Sequence, residues 1–198
     1  MPSPLFTIGH SNHPFDRFLE LLRLHHITTI ADVRSNPYSR HNPQFNRETL
    51  KHSLQQAGIE YLFLGSLLGA RSSDPSCCRD GAVQFSLVAR TKAFQQGLGQ
   101  VRSAAAAKRL ALMCAEKDPL QCHRAALICR NLRKEPFPVV HILADGSLET
   151  REELEGRLLS FMKVVQDDLF LDHERLIERA YDLLSDRMSS ASPVRNER

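Results

Sequence analysis

Leu110-Ala111-Leu112-Met113-Cys114-Ala115-Glu116-Lys117-Asp118-Pro119-Leu120-Gln121-Cys122-His123-Arg124 decides the fold. The segment 109–114, apolar without a break from Leu110 to Cys114, reads as a strand buried on both faces. Asp118-Pro119 turns the chain, and a helix follows over 122–132. A fully buried strand that feeds a helix is the repeating unit of a parallel sheet covered by helices.

The same alternation runs outward on both sides. Upstream, strands are expected over 5–8, 27–33 and 59–64, with helices over 15–24, 47–56 and 85–107. Phe15, Phe18, Leu19 and Leu22 give the first helix its 3.6-residue stripe. Gly58 is set to cap the second helix, and Gly97 and Gly99 to interrupt the third. The segments 35–46 and 65–81 read as loops, the first because of Pro37, Pro43 and its asparagines. Downstream, 139–143 is the fifth strand. The expected fold is therefore α/β: a mostly parallel sheet of about five strands with helices on both faces and a C-terminal helical appendage. Residues 1–148 form the core domain and 149–188 a helical extension packed on it, with a disordered tail over 189–198. The stripes Leu154, Leu158, Phe161, Val165 and Leu176, Ile177, Ala180, Leu184 pack that extension. A homodimer contact through them is the alternative.

Composition bounds the rest. The 198 residues carry a net charge of +3, too small an excess to imply nucleic-acid binding without local clustering. Five cysteines, an odd number in a chain large enough for its own core, argue against a disulfide framework. The N-terminus shows no basic region followed by an apolar run, and no segment has the ~20 apolar residues that span a bilayer. A soluble, cytoplasmic protein with free thiols and no membrane partner is the expectation.

In open α/β sheets ligands bind beyond the carboxyl ends of the strands. Those ends carry His10, Ser11, Asp32, Arg34, Cys114 and Glu116. A helix starting at Cys122 would place that sulfur in the field of unpaired N–H groups. Arg124 would reinforce the field, so the thiol is expected to be acidified. On this reading Cys122 and Cys114 are candidate nucleophiles, and His123 and Glu116 handle protons. His10, Ser11, Asp32, Arg34 and Arg124 bind substrate. The plainer readings are a small core hydrophobe for a strand-end cysteine and an internal ion pair for Asp32 and Arg34. Cys129 belongs in the core. An arginine six residues after the cysteine would mark a phosphatase loop, but Ile128 stands there.

Metal is a competing use for Cys114, Cys122, His123, His10 and His13, but their spacings match no common zinc motif, so none is assigned. No cofactor is called for, since neither a dinucleotide glycine fingerprint nor a Walker loop is present. Arg34, Arg40, Arg47 and Lys51, interleaved with Tyr38, His41 and Phe45, suit a nucleotide or single-stranded nucleic acid. They equally suit a solvated basic loop.

An ordered set of motifs resembles the family known as domain of unknown function 488. It comprises Thr7-Ile8-Gly9-His10-Ser11, Asp32-Val33-Arg34 with Pro37 and Ser39, Phe45-Asn46, Cys114-Ala115-Glu116, Cys122-His123-Arg124, and His141-Ile142 with Gly146. The resemblance runs over 5–159 and implies an α/β fold and a bacterial or archaeal origin, without an activity. The reading of the residues is a thiol-dependent hydrolase or group-transfer enzyme for an anionic substrate, either a nucleotide or a nucleic-acid component. A non-catalytic nucleotide or nucleic-acid binding module and a metal-stabilised domain are the alternatives.

Overall fold

The computed structural model describes residues 3–72, 74–164 and 172–190. A six-stranded sheet forms the centre: β1 (Leu5–Gly9), β2 (Thr29–Asp32), β3 (Glu60–Phe63), β6 (Leu110–Cys114), β7 (Val139–Ile142) and β8 (Leu148–Thr150). Its order is β3-β2-β6-β1-β7-β8. All pairs are parallel except β7 with β8. The strand β6 thus lies between β1 and β2, and every residue of it is buried. This is why its sequence is a continuous apolar run rather than an alternation.

Side chains on β6 divide by period two. Leu110, Leu112 and Cys114 join one core cluster, while Ala111 and Met113 join the other on the opposite face. The second face is covered by α1 (Phe15–Leu24) and α2 (Arg47–Gln56), through Phe18, Leu21, Leu22, Leu50 and Leu54. The first face is covered by α3 (Gly65–Leu68), α4 (Phe85–Val88), α5 (Lys92–Ala107), α6 (Arg151–Phe161) and α7 (His173–Ser190). Leu176, Ile177, Ala180 and Leu184 of α7 are buried in this cluster together with Leu154 and Leu158 of α6. The second stripe and the Leu154 and Leu158 half of the first therefore have partners within the chain, while Phe161 is exposed. Arg133 ties these helices together through Glu155, Glu174 and Glu178.

Several elements differ from the expectation, each for a local reason. The helix expected over 85–107 is two helices, α4 and α5, broken at 89–91. Thr91 caps α5 by accepting from the Phe94 N–H. Gly97 does not interrupt α5. It lies where a β-carbon would stand 2.7 Å from Leu68, and it lets α3 approach closely. The edge strand β8 escaped because it is three residues long with only Glu149 buried. A small hairpin, β4 (Cys78–Arg79) with β5 (Ala82–Val83), begins in the expected loop 65–81 and ends just beyond it. Asp80 and Gly81, both at positive φ, make the tight turn that joins these strands. Helix α6 opens with a capping box between Thr150 and Glu153 and ends at Phe161, earlier than expected. Val165 and the expected tail from Ala191 onward lie outside the described residues. Ser189 and Ser190 belong to α7. No helix among the described residues is long and apolar enough to cross a membrane.

Candidate functional site

The sheet order brings the carboxyl ends of β1, β6 and β2 side by side. Gly9 pairs with Cys114, and Asp32 with Met113. Beyond the last pair the ladder continues: His10 N–H donates to the Cys114 carbonyl, Ser11 N–H to the Ala115 carbonyl, and Val33 N–H to the Met113 carbonyl. The candidate segments expected to converge on this edge do so.

From Cys114 the chain passes through an exposed loop into a single 3₁₀ turn, Pro119–Gln121. Asp118 caps the turn by accepting from the Leu120 N–H, and Arg157 of α6 clamps the same carboxylate at 2.9 and 3.0 Å. Cys122 is still extended, so the helix starts at His123. It runs immediately as a π-helical turn over Arg124–Cys129. Such wide turns recur at functional sites, because the extra residue re-aims the side chains around it.

Four side chains meet here. The ligand-type atoms of Cys114, Glu116, Cys122 and His123 all lie within 4.8 Å of one another. The Cys114 thiol donates to Glu116 Oε2 at 3.0 Å. His123 Nδ1 lies 3.6 Å from Cys114 Sγ and 3.9 Å from Cys122 Sγ. His123 Nε2 lies 3.1 Å from the Val33 carbonyl oxygen, which can only accept, so Nε2 carries the proton. In its neutral form His123 thus turns a bare Nδ1 lone pair toward both sulfurs.

Burial sets the electrostatics. Cys122 was expected to be acidified by the helix start. Instead its thiol is pushed well above its ordinary range, by burial first and then by the neighbouring Cys114. Only 1% of Cys122 is exposed, although its sulfur does accept the Arg124 N–H at 3.4 Å. Burial alone would lower His123, but hydrogen bonding to Cys122 and the charge of Glu116 leave it raised. Glu116 is lowered: burial opposes this, and hydrogen bonds from Cys114 and Cys122 outweigh burial.

A pocket of about 370 Å³ opens over this cluster. Cys114, Glu116 and His123 line it with Arg34, Asn36 and Arg71, and Phe85, Gln121, Met188 and Ser189 complete the lining. This volume suits a small molecule. The other expected binding residues stand behind the wall or apart from it. Arg124 is fully buried; its guanidinium donates to the Glu116 and Lys117 carbonyls and so holds the loop, away from the pocket. Asp32 and Arg34 form the internal pair that the strand spacing allowed, at 2.6 and 2.9 Å, joined by the Tyr61 hydroxyl at 2.7 Å. Arg34 Nη1 donates to His10 Nε2 at 3.1 Å, while His10 Nδ1 donates to the Ser11 carbonyl and its ring stacks on Phe45 at 4.2 Å. Burial and the Arg34 charge push His10 down to about 4. Ser11 is half-buried, its hydroxyl bonded to the side chain of Asn12.

Arg71, Phe85, Met188 and Ser189 carried no site signal in the sequence. They come from the hairpin region and from the end of α7, and only the tertiary fold places them here. Of the basic segment, Arg47 lies over the Phe63 ring at 4.2 Å, and Tyr38 is exposed.

No curated protein and no solved structure matches the chain. The family model described as domain of unknown function DUF488 matches residues 14–130, from the turn before α1 through the π-helical turn. That span holds Asp32, Arg34, Cys114, Glu116, Cys122 and His123, and leaves out β1 with His10 and Ser11. The chain belongs to the DUF488 family.

Proposed function

We propose that this protein is an enzyme that carries out hydrolysis or group transfer on a small anionic substrate of the nucleotide or nucleic-acid-component class. Cys114 is the sulfur that meets the substrate. One observation carries the reading: the Cys114 sulfur stands in the pocket wall between the Glu116 carboxylate and the bare Nδ1 of His123. A thiol flanked by two acceptors has somewhere to send its proton as it attacks. Cys114 and Cys122 are both buried, at 3% and 1% exposure, but only Cys114 lines the pocket, so Cys122 serves as a neighbour and not as a nucleophile. Arg34, fixed by Asp32, and Arg71 supply positive charge at the same wall, which favours an anion over a neutral ligand.

The test is turnover of nucleotides and simple phosphate esters by the wild type, Cys114→Ser and Cys78→Ser. The reading expects activity in the wild type and in Cys78→Ser, and a loss of at least a hundredfold in Cys114→Ser, on the order expected when a nucleophile is removed. Equal activity in all three would overturn it. A non-catalytic module would bind nucleotide with a steep salt dependence, whatever residue stands at 114.

A further inference from the structure

We propose that Cys114, Glu116, Cys122 and His123 form a binding site for a Zn²⁺-class divalent ion, and that its occupancy withdraws the Cys114 sulfur from the thiol chemistry proposed above. The metal half stands on its own geometry; the regulatory half rests on the proposed function.

Distances come first. Zinc–sulfur and zinc–nitrogen bonds of about 2.3 and 2.0 Å at a tetrahedral angle separate S and N by about 3.5 Å. His123 Nδ1 is 3.6 and 3.9 Å from the two sulfurs. All four donor atoms fall within 4.8 Å, so one ion could touch each of them with small side-chain adjustments.

The surroundings match those of a metal-binding histidine. A ligating imidazole donates its other N–H to a carbonyl or carboxylate, which fixes the tautomer and the ring plane. His123 does this toward the Val33 carbonyl at the end of β2. The Cys122 sulfur accepts a backbone N–H from Arg124, a contact that stabilises a thiolate. The fully buried Arg124 guanidinium, held by the Glu116 and Lys117 carbonyls, adds positive charge behind the sulfurs. Two thiolates, one imidazole and one carboxylate select a borderline-soft ion over Mg²⁺ or Ca²⁺. His10 does not join the set, because both of its ring nitrogens are already engaged.

Position decides what the ion would do. Cys114, Glu116 and His123 face the pocket, so an ion has an entry path, and Cys122 lies behind them. Glu116, the exposed member, is the ligand that a solvent molecule or an anionic substrate would displace. Once bound to the ion, the Cys114 sulfur has lost its proton and its lone pair is shared with the metal, so it is a poor nucleophile. The two states of the site are then metal-held and thiol-active.

The test adds Zn²⁺ or Co²⁺ to the reduced, chelator-stripped full chain. The expected result is one ion per chain and, with Co²⁺, tetrahedral d–d absorption with sulfur-to-cobalt charge-transfer bands. Affinity should fall more than tenfold in Cys122→Ser and His123→Ala and stay unchanged in Cys78→Ser. The wild-type cobalt spectrum decides the matter even if a variant fails to fold: absence of the sulfur bands overturns the metal site. Uptake unchanged in a folded Cys122→Ser protein overturns it too. Alkylation of Cys114 in the same samples separates the two halves. Slower alkylation on Zn²⁺ addition supports the switch. Stoichiometric uptake with an inert Cys114 in the stripped protein sinks the thiol reading and leaves the ion site. A reactive Cys114 without uptake does the reverse.

Discussion

Gly9 sits directly across the sheet from Cys114, and a β-carbon at position 9 would stand 1.9 Å from the Glu116 carbonyl oxygen and 2.8 Å from Arg124 Nη1. The loop that carries Glu116 therefore folds back onto β1 at the one place where no side chain stands. Gly9→Ala must move the backbone of this loop. We expect a loss of about 1–3 kcal/mol in urea unfolding, the range for overpacking a close-fitted interior. A Gly9→Ala protein of wild-type stability with unaltered Cys114 reactivity would show that the loop is not held there.

Two glycines of α5 should respond in opposite directions. Alanine at Gly99 meets open space, so it should stabilise the helix by about 0.5–1 kcal/mol. At Gly97 it meets Leu68 at 2.7 Å and Leu67 at 2.9 Å and should destabilise the packing of α3 on α5. Paired thermal melts read the sign directly; a shift in the same direction for both would contradict the packing described.

Asp32 and Arg34 are both buried, at 0% and 7% exposure. Asp32→Ala strands a buried guanidinium and should cost about 3–5 kcal/mol. Tyr61→Phe removes only one of the hydrogen bonds to the same carboxylate and should cost about 1 kcal/mol. Equal losses from the two substitutions would mean that the Arg34 side chain does not depend on Asp32.

His141 is buried, its Nδ1 2.7 Å from the Thr7 hydroxyl. Burial, then the charges of Arg124 and Arg157, push it from 6.5 down to about 3. The folded state therefore keeps His141 neutral while the unfolded chain protonates it. The stability this contributes is fully present above pH 6.5 and falls as pH drops from 6.5 toward 3. For this group alone the loss between pH 7 and pH 5.5 is about 1 kcal/mol. His141→Asn, less stable at neutral pH, should show an acid sensitivity smaller by that amount in urea melts. An unchanged pH slope would refute the assignment.

The parallel sheet was legible because its central strands are buried on both faces and read as largely apolar runs. The run at 110–114 and its partner at 5–9 allow little else. The short edge elements were not legible: β8 buries one residue, and the hairpin of β4 and β5 has two residues a strand. Convergence of Cys114, Glu116, Cys122 and His123 could be foreseen from the strand-loop-helix pattern. The state of Cys122 could not. The expected acidification assumed an exposed helix start, and in the fold burial outweighs the helix field. Arg124 misled for a related reason, since only the structure shows that two loop carbonyls occupy its guanidinium. The contribution of Met188 and Ser189 to the pocket lining comes from the other end of the chain and leaves no local mark.

The most direct test of the account is the rate of alkylation of each cysteine against pH in metal-stripped protein, read residue by residue by mass spectrometry. The account predicts that Cys114, which lines the pocket, is alkylated in the folded protein, while Cys122 and Cys129, which do not line it and whose thiols burial pushes upward, stay unmodified. A Cys114 as inert as Cys129 across the range, or a Cys122 that reacts first, would contradict it.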